Sequence, residues 1–216
     1  MKILLVFLSL LSTQHSLGQT KTYSIVFLNK KHDAEKIDKG TNDKLMEGHM
    51  ANINRLAKEG KLLAAGPFEG GGGLFIFNTT SQEEAETWVS SDPAVQANRW
   101  NIEILPYTPR QGLICPVSEP YEMILYTFVR FDAIVDKFNA STYPEIIRKH
   151  DQFVSEITKN SNVITEAIFG DNEGGILIVK EEMPTTTFDD DPGVQQGLLN
   201  VRMKKLYIAK GSFCEH

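Results

Sequence analysis

Two histidines and two Asp-Pro pairs are the residues in this sequence best suited to chemistry. His150 follows His49 by 101 residues, and Asp191-Pro192 follows Asp92-Pro93 by 99 residues. A carboxylate that accepts the proton on one imidazole nitrogen fixes the tautomer of the ring. The other nitrogen is then free to take or give a proton near neutral pH. If each histidine meets its aspartate in the fold, the chemistry is proton transfer.

Both residue types also have an ordinary structural explanation. A histidine on the apolar face of a helix is often a hydrogen-bonded core residue. An aspartate before proline caps a turn, because the residue before proline is held extended. Duplication copies structural residues as faithfully as catalytic ones, so the spacing alone leaves both roles open.

The near-constant spacing indicates that one small domain occurs twice. Segments 43–106 and 144–208 each run from an amphipathic helix pattern, through a Gly-rich turn into a strand, to an Asp-Pro pair and a final strand. Prolines and a glycine separate the two copies. We therefore predict a first domain over 20–108, a linker over 109–120 and a second, degenerate domain over 121–211.

Within each copy, the pattern predicts six elements. In the first copy, residues 23–28 are rich in β-branched and aromatic side chains, which is typical of a strand. Apolar residues then recur at helical spacing until Gly60, and His49 lies on the same face. Ser81 and Glu84 form a capping-box pattern that predicts a second helix. The order β-α-β-β-α-β is the ferredoxin-like arrangement, so we predict an α+β fold.

Two segments need separate interpretation. Four consecutive glycines, residues 70–73, predict a tight hairpin, because their spacing matches neither the phosphate-binding loop nor the dinucleotide fingerprint. In the second copy, residues 183–187 contain one proline and three threonines, which are poor helix formers. The second helix of that copy is therefore predicted to be short or replaced by a loop.

A longer run of residues carries a family resemblance. His49, then the sequence Gly-Lys-Leu-Leu-Ala-Ala-Gly-Pro at 60–67, then Ser91-Asp92-Pro93, resembles the YCII-related (YciI-like) family. That family belongs to the dimeric α/β-barrel superfamily, in which two ferredoxin-like units join their sheets into one barrel. The second copy resembles it less closely but keeps His150 and Asp191-Pro192. The resemblance implies that one chain supplies both halves of a barrel as a pseudo-dimer, and a further homodimer stays open.

The resemblance also implies a function. In the family, the helix histidine and the aspartate of the Asp-Pro pair are proposed as a catalytic dyad, which corresponds to His49 with Asp92 and, less strongly, His150 with Asp191. It implies proton transfer of the lyase or isomerase kind on a small cyclic or aromatic substrate. We also expect the following residues at the substrate: Gly66, Pro67 and Phe68. A module that binds a small ligand without turnover and a scaffold are the alternatives, so the sequence leaves open whether the protein is an enzyme.

Other classes of site and partner have little support. No HExxH motif or Cys-His cluster occurs, and the acidic run 189–191 lacks the glycine and terminal glutamate of a calcium loop, so we expect no metal and no cofactor. The formal net charge is −6 and no basic cluster occurs, which argues against nucleic acid or an anionic membrane as partner. We expect a small-molecule ligand.

Residues 1–19 have the features of a secretory signal peptide. Lys2 is followed by an apolar run over 3–11 and by small residues near Gly18, and the run is too short to span a membrane. We therefore expect a secreted or periplasmic protein. Cys115 and Cys214 follow the last strands of their copies, at positions that a pseudo-two-fold axis would bring together. We predict a disulfide between them, with two free thiols as the alternative.

Overall fold

The computed structural model describes residues 21–170 and 174–214, so the predicted signal peptide lies outside the described residues. The elements of the first half are β1 (Tyr23–Lys30), α1 (Lys39–Lys58), β2 (Leu62–Pro67), β3 (Gly73–Phe77), α2 (Gln82–Ser90), α3 (Pro93–Gln96) and β4 (Trp100–Gln111). The elements of the second half are β5 (Met123–Ala133), α4 (Tyr143–Asn160), β6 (Val163–Ile168), β7 (Gly174–Val179), α5 (Pro192–Gln195) and β8 (Leu199–Ala209), with 3-10 turns at Val135–Lys137 and Thr185–Phe188.

The predicted ferredoxin-like order is confirmed in the first half and nearly complete in the second. The 3-10 turn Thr185–Phe188 stands where the first half has α2, as the proline and threonines of that segment indicated. Strand β4 extends to Gln111, three residues into the predicted linker. Its last residues pair with β6 of the other half, and such a contact leaves no local signal in the sequence.

The two halves close into one barrel. The sheet order is β2-β3-β1-β4-β6-β7-β5-β8, and each pair of strands is antiparallel. The edge strands then meet: Phe68 forms a bridge with Leu206, and the Glu69 amide donates to the Lys205 carbonyl at 2.9 Å. The predicted pseudo-dimeric α/β barrel within one chain is therefore confirmed. Closure removes the exposed strand edges that would otherwise pair with other chains.

Three apolar clusters stabilise this arrangement. The largest fills the barrel interior with side chains from both halves, among them Phe27, Phe68, Phe128 and Phe169. The other two lie outside the barrel, between the sheet and the helices of each half. Burial of one such side chain contributes roughly 1.5–3 kcal/mol. The helices are therefore fixed on the outer faces of the barrel, and each carries its histidine toward the sheet.

One charged group lies among the aromatic rings of the barrel. Arg130 is 6% exposed, and its guanidinium carbon lies 4.3 Å from the centroid of the Phe27 ring. It donates two hydrogen bonds to Glu103, at 2.7 and 2.8 Å. Its Nε also lies 2.7 Å from Asp132 Oδ1, within ion-pair distance, although the geometry does not form a hydrogen bond. The pair with Glu103 joins strand β5 of one half to strand β4 of the other.

Candidate active site

The structure brings His49 and Asp92 together. The Nδ1 atom of His49 lies 2.7 Å from Oδ2 of Asp92, although 43 residues separate them in sequence. The imidazole packs nearly parallel to the Phe75 ring, with centroids 5.9 Å apart. Because Nδ1 faces a carboxylate, it carries the proton of the neutral ring, and Nε2 is left with its lone pair. No described residue forms a hydrogen bond to Nε2, so this atom is available to a ligand.

The two carboxylate oxygens of Asp92 have different hydrogen-bond partners. Its Oδ1 accepts from the Ala94 backbone N–H at 2.9 Å and so caps the short helix α3, while its Oδ2 faces His49. The turn-capping role and the pairing role, which the sequence left as alternatives, therefore occur together. The side chain of Asn52 also donates to Oδ2, at 3.4 Å. These contacts fix the carboxylate, which is fully buried.

The electrostatics of Asp92 favour its ionised form. Burial raises the pKa of this carboxyl, but the hydrogen bond and charge of His49, with the Ala94 N–H and Asn52, outweigh burial and bring the pKa below its ordinary value of 3.8. Asp92 is therefore a carboxylate at neutral pH. A buried carboxylate in this position holds the imidazole in one orientation and stabilises the imidazolium that would form during proton transfer.

Local sequence features position the pair. Helix α1 begins after Asp38, whose side chain caps the Thr41 N–H at 3.0 Å. Gly48, next to His49, lies against the ring of Pro93, and a Cβ at this glycine would approach the Pro93 Cγ to 3.0 Å. The small residue lets the helix come close to the Asp-Pro turn. The histidine thus meets the aspartate without a long side chain between them.

His49 opens onto a cavity of about 790 Å³. Helix α1 and strands β2 and β3 form one side of it, and the linker segment 117–119 with the ends of β5 and β8 forms the other. Most of the lining is apolar, with Lys58 and Glu119 as charged members. Since both halves contribute, the cavity depends on closure of the barrel.

The residues expected at the substrate divide into two groups. Gly66 and Pro67 line the His49 cavity. Phe68 is 7% exposed, and its ring lies 4.9 Å from that of Phe128 in the barrel interior. The structure therefore gives Phe68 a core position, because the pleat of the strand and its bridge to Leu206 point it away from α1.

The second pair has the same geometry. The Nδ1 atom of His150 lies 2.7 Å from Oδ2 of Asp191, and Oδ1 of Asp191 accepts from the Gly193 N–H at 2.7 Å. The rings of His150 and Phe131 pack in a T-shaped arrangement, with centroids 4.9 Å apart. Phe153 stands where the first copy has Asn52, three residues after the histidine, so the amide contact to the carboxylate is absent from the described part of this site.

The cavity at His150 is smaller, about 210 Å³, and more highly charged. Arg110 of β4 reaches into it from the first half and donates to both carboxylate oxygens of Asp151, at 2.6 and 3.3 Å. Its Nη1 also lies 3.5 Å from Glu166 Oε1. Burial lowers the pKa of Arg110, but the two carboxylates outweigh burial and raise it, so the guanidinium stays charged.

The sequence did not reveal several of these residues. Asn52 had a signal that was overlooked, namely a polar residue on the core face one turn after His49. Arg110, Asp151 and Glu166 had none, because they come from three elements of two halves and meet only when the barrel closes.

Cys115 and Cys214 lie as the predicted pairing requires. Their sulfur atoms form a disulfide, and 99 residues separate them in the chain. The Cys115 amide also donates to the carbonyl of Ser212, a residue of the His49 cavity, at 2.9 Å. In residues 21–170 and 174–214, no group of three or more side chains suited to holding a metal ion occurs. Within the same ranges, no helix has the length and apolar character needed to cross a membrane.

Comparison with solved structures extends the description of the fold. A mutant chlorite dismutase from Candidatus Nitrospira defluvii is 8% identical with a TM-score of 0.50, over 89% of this chain and 93% of that chain. A provisionally named chlorite dismutase is 8% identical with a TM-score of 0.48, over 88% and 94%. A provisionally named monooxygenase from Fusobacterium nucleatum subsp. nucleatum is 10% identical with a TM-score of 0.44, over 88% and 92%. At such identities the likeness concerns the fold alone.

Comparison by sequence is more restricted. No curated protein matches this chain. The profile of the YCII-related domain matches residues 24–108, which include His49, Asp92 and the first cavity's strands β2 and β3. The first half of the chain is therefore similar to the YCII-related domain, within a chain that folds as a dimeric α/β barrel.

Proposed function

We propose that the first half carries a proton-transfer site in which His49 is the general base and Asp92 its positioning residue. The observation that supports this is the 2.7 Å contact between Nδ1 and the buried carboxylate, at the wall of a cavity of about 790 Å³. A base must have a free lone pair within reach of the substrate, and Nε2 of a ring fixed in this way has one.

The substrate class follows from the lining and from the family resemblance. A largely apolar cavity suits a small cyclic or aromatic body. Lys58 is the last residue of the same helix, about 13 Å along the axis from His49, and its ammonium suits an anionic group of the ligand. The reaction would be of the lyase or isomerase kind: Nε2 removes a proton from carbon, and the imidazolium returns it to the same or another atom. The second candidate function is binding of such a compound without turnover.

Deuterium exchange tests the proposal. Cyclic ketones and unsaturated lactones that have one acidic C–H would be incubated with the protein in D₂O and followed by proton NMR. Exchange through a positioned general base should exceed the uncatalysed rate by roughly 10²–10⁴-fold and disappear in His49→Gln. His32→Gln is the matched control, because His32 is an exposed histidine away from the cavity.

Three outcomes separate the candidates. Exchange that is lost in His49→Gln and retained in His32→Gln supports catalysis. Saturable binding without exchange, followed by shifts of the His49 resonances, favours the binding function. If the compounds neither bind nor exchange up to about 10 mM, which corresponds to less than roughly 3 kcal/mol of affinity, a ligand of this class is rejected.

We also propose that the protein is exported. A disulfide that closes such a long loop is typical of an oxidising compartment. Mass spectrometry of the protein from its native cell would test this. A mature N-terminus near residue 19 is the expected result, and a protein that retains Met1 and two reduced cysteines in the cytoplasm would contradict it.

A further inference from the structure

The two His-Asp sites have the same geometry but opposite surroundings. In both, Nδ1 of the histidine lies 2.7 Å from the aspartate. The cavity at His49 is large and mostly apolar, whereas the cavity at His150 is about a quarter of its volume. Besides the pair, the charged side chains that line it in the described ranges are Arg110, Asp151 and Glu166. The difference concerns the walls of the two sites and not their His-Asp pairs.

The internal repeat identifies what changed. The offset of 101 residues that relates the histidines places Asp151 at the position of Met50 and Glu166 at that of Ala65. The offset of 99 residues that relates the aspartates places Arg110 at the position of Ala209. The following residues line the first cavity: Met50, Ala65 and Ala209. Three apolar positions of one site are thus three charged positions of the other.

Among the described side chains of the second site, the charges do not balance. Arg110 pairs with Asp151 through two hydrogen bonds and has a longer contact, 3.5 Å, with Glu166. Two carboxylates therefore share one guanidinium. The side chain of Glu166 is 13% exposed, and its one ion pair in the described parts of the chain is that 3.5 Å contact. A carboxylate that is mostly removed from water and poorly neutralised favours the approach of a cation.

We propose that this second pocket binds a small organic ammonium ion, with Glu166 as the main contact of its charge. A primary ammonium group donates three hydrogen bonds. Glu166, Asp151 and His150 line the cavity with side-chain acceptors, and Asp151 shares its oxygens with Arg110. The proposal goes beyond the proton-transfer function of the first half and does not depend on it.

The size of the pocket limits the ligand. A cavity of about 150 Å³ holds one benzene ring, so a cavity of about 210 Å³ holds a six-membered ring with a short substituent. Phe131, Val154 and Leu177 provide the apolar contacts for such a ring. Larger cyclic compounds suited to the first cavity would not fit, so the two halves would select different molecules.

Three probes of similar size test the charge preference. Benzylammonium, benzyl alcohol and benzoate would each be titrated into the whole protein, with calorimetry for affinity and the His150 ring resonances for location. Benzylammonium should bind at least about ten-fold more tightly than benzyl alcohol, because Glu166 attracts its positive charge. Benzoate should bind most weakly, because the same carboxylate repels it.

Variants assign the effect to Glu166. Glu166→Gln keeps the shape of the side chain and removes its charge, so the advantage of benzylammonium over benzyl alcohol should disappear. Glu145→Gln removes an exposed carboxylate of helix α4 whose partners are Arg148 and Lys149, and it should leave the affinity unchanged. His49→Gln should also have no effect, which separates this site from the first cavity.

Several results would overturn the proposal. These are tighter binding of benzoate than of benzylammonium, an unchanged affinity in Glu166→Gln, an equal loss in Glu145→Gln, or no binding of benzylammonium below about 10 mM, a limit of roughly 3 kcal/mol. Failure of the deuterium-exchange experiment at His49 would leave each of these measurements unaffected, so the two proposals fail separately.

Discussion

The buried ion pair between Arg130 and Glu103 tests how the two halves are held together. We consider Arg130→Met, which keeps the length of the side chain and removes its charge. The variant loses the two hydrogen bonds to Glu103 and the contact with the Phe27 ring at 4.3 Å. Breaking a buried pair costs about 3–5 kcal/mol, because the remaining charge is left without a partner.

The surroundings place the cost at the lower end of that range. Glu103 is 37% exposed, so its carboxylate regains water when Arg130 is removed. Asp132 keeps its second partner, Arg202, which donates to it at 2.7 Å. Loss of the cation–π contact adds about 1 kcal/mol. We therefore expect Arg130→Met to lower the free energy of unfolding by about 4 kcal/mol.

Urea unfolding followed by circular dichroism measures this change. Arg202→Met is the matched control, since Arg202 is 44% exposed and pairs at the surface with the same Asp132. It should cost less than about 1 kcal/mol. The double variant Arg130→Met/Glu103→Gln should recover part of the lost free energy of unfolding, because no unpaired carboxylate remains at position 103. Equal effects of the two arginine variants would refute the view that Arg130 is a buried link between the halves.

Further predictions concern the core, the disulfide and acid. Tyr107 is fully buried, and its hydroxyl has no hydrogen-bond partner among the described residues, so Tyr107→Phe should leave the urea midpoint unchanged or raise it; a loss above about 1.5 kcal/mol would show that the hydroxyl is bonded. Replacement of both Cys115 and Cys214 by Ser should cost up to about 5 kcal/mol, because 99 residues separate them; identical midpoints with and without reductant in the native protein would contradict this. The pKa values of Asp92 and Glu103 lie below the ordinary values of 3.8 and 4.5, so their contributions to stability are complete at higher pH and are lost as the pH falls through the lowered values. Urea midpoints should therefore fall below about pH 4.5, and less steeply in Asp92→Asn; an equal slope would count against the depressed pKa of Asp92.

The sequence allowed the fold to be predicted because the signals were local and repeated. These signals are the apolar face of α1 that includes His49, the Ser81 cap of α2 and the glycine turn between β2 and β3. Each depends on residues close together in the chain. The repeat then supplied the long-range information that two such units occur in one chain. The resemblance to a dimeric barrel family indicated how the sheets would join.

The site could be predicted only in part, for physical reasons. The aspartates could be predicted as site residues because each one precedes a proline in the repeat. The sequence did not show that Asp92 caps α3 with one carboxylate oxygen and contacts His49 with the other. The charged wall of the second cavity could not be found, because Arg110 and Asp151 lie in different halves. Phe68 was expected at the substrate, and closure of the barrel places it in the core.

The most direct test of the proton-transfer proposal is the tautomer of His49. A long-range ¹H–¹⁵N correlation spectrum, recorded at a pH where the ring is neutral, distinguishes a protonated Nδ1 from a protonated Nε2. The account predicts Nδ1–H and a free Nε2 in the native protein, and a shift toward Nε2–H in Asp92→Asn, while Asp191→Asn changes His150 alone. A native His49 with Nε2–H, or one that does not respond to Asp92→Asn, would contradict it.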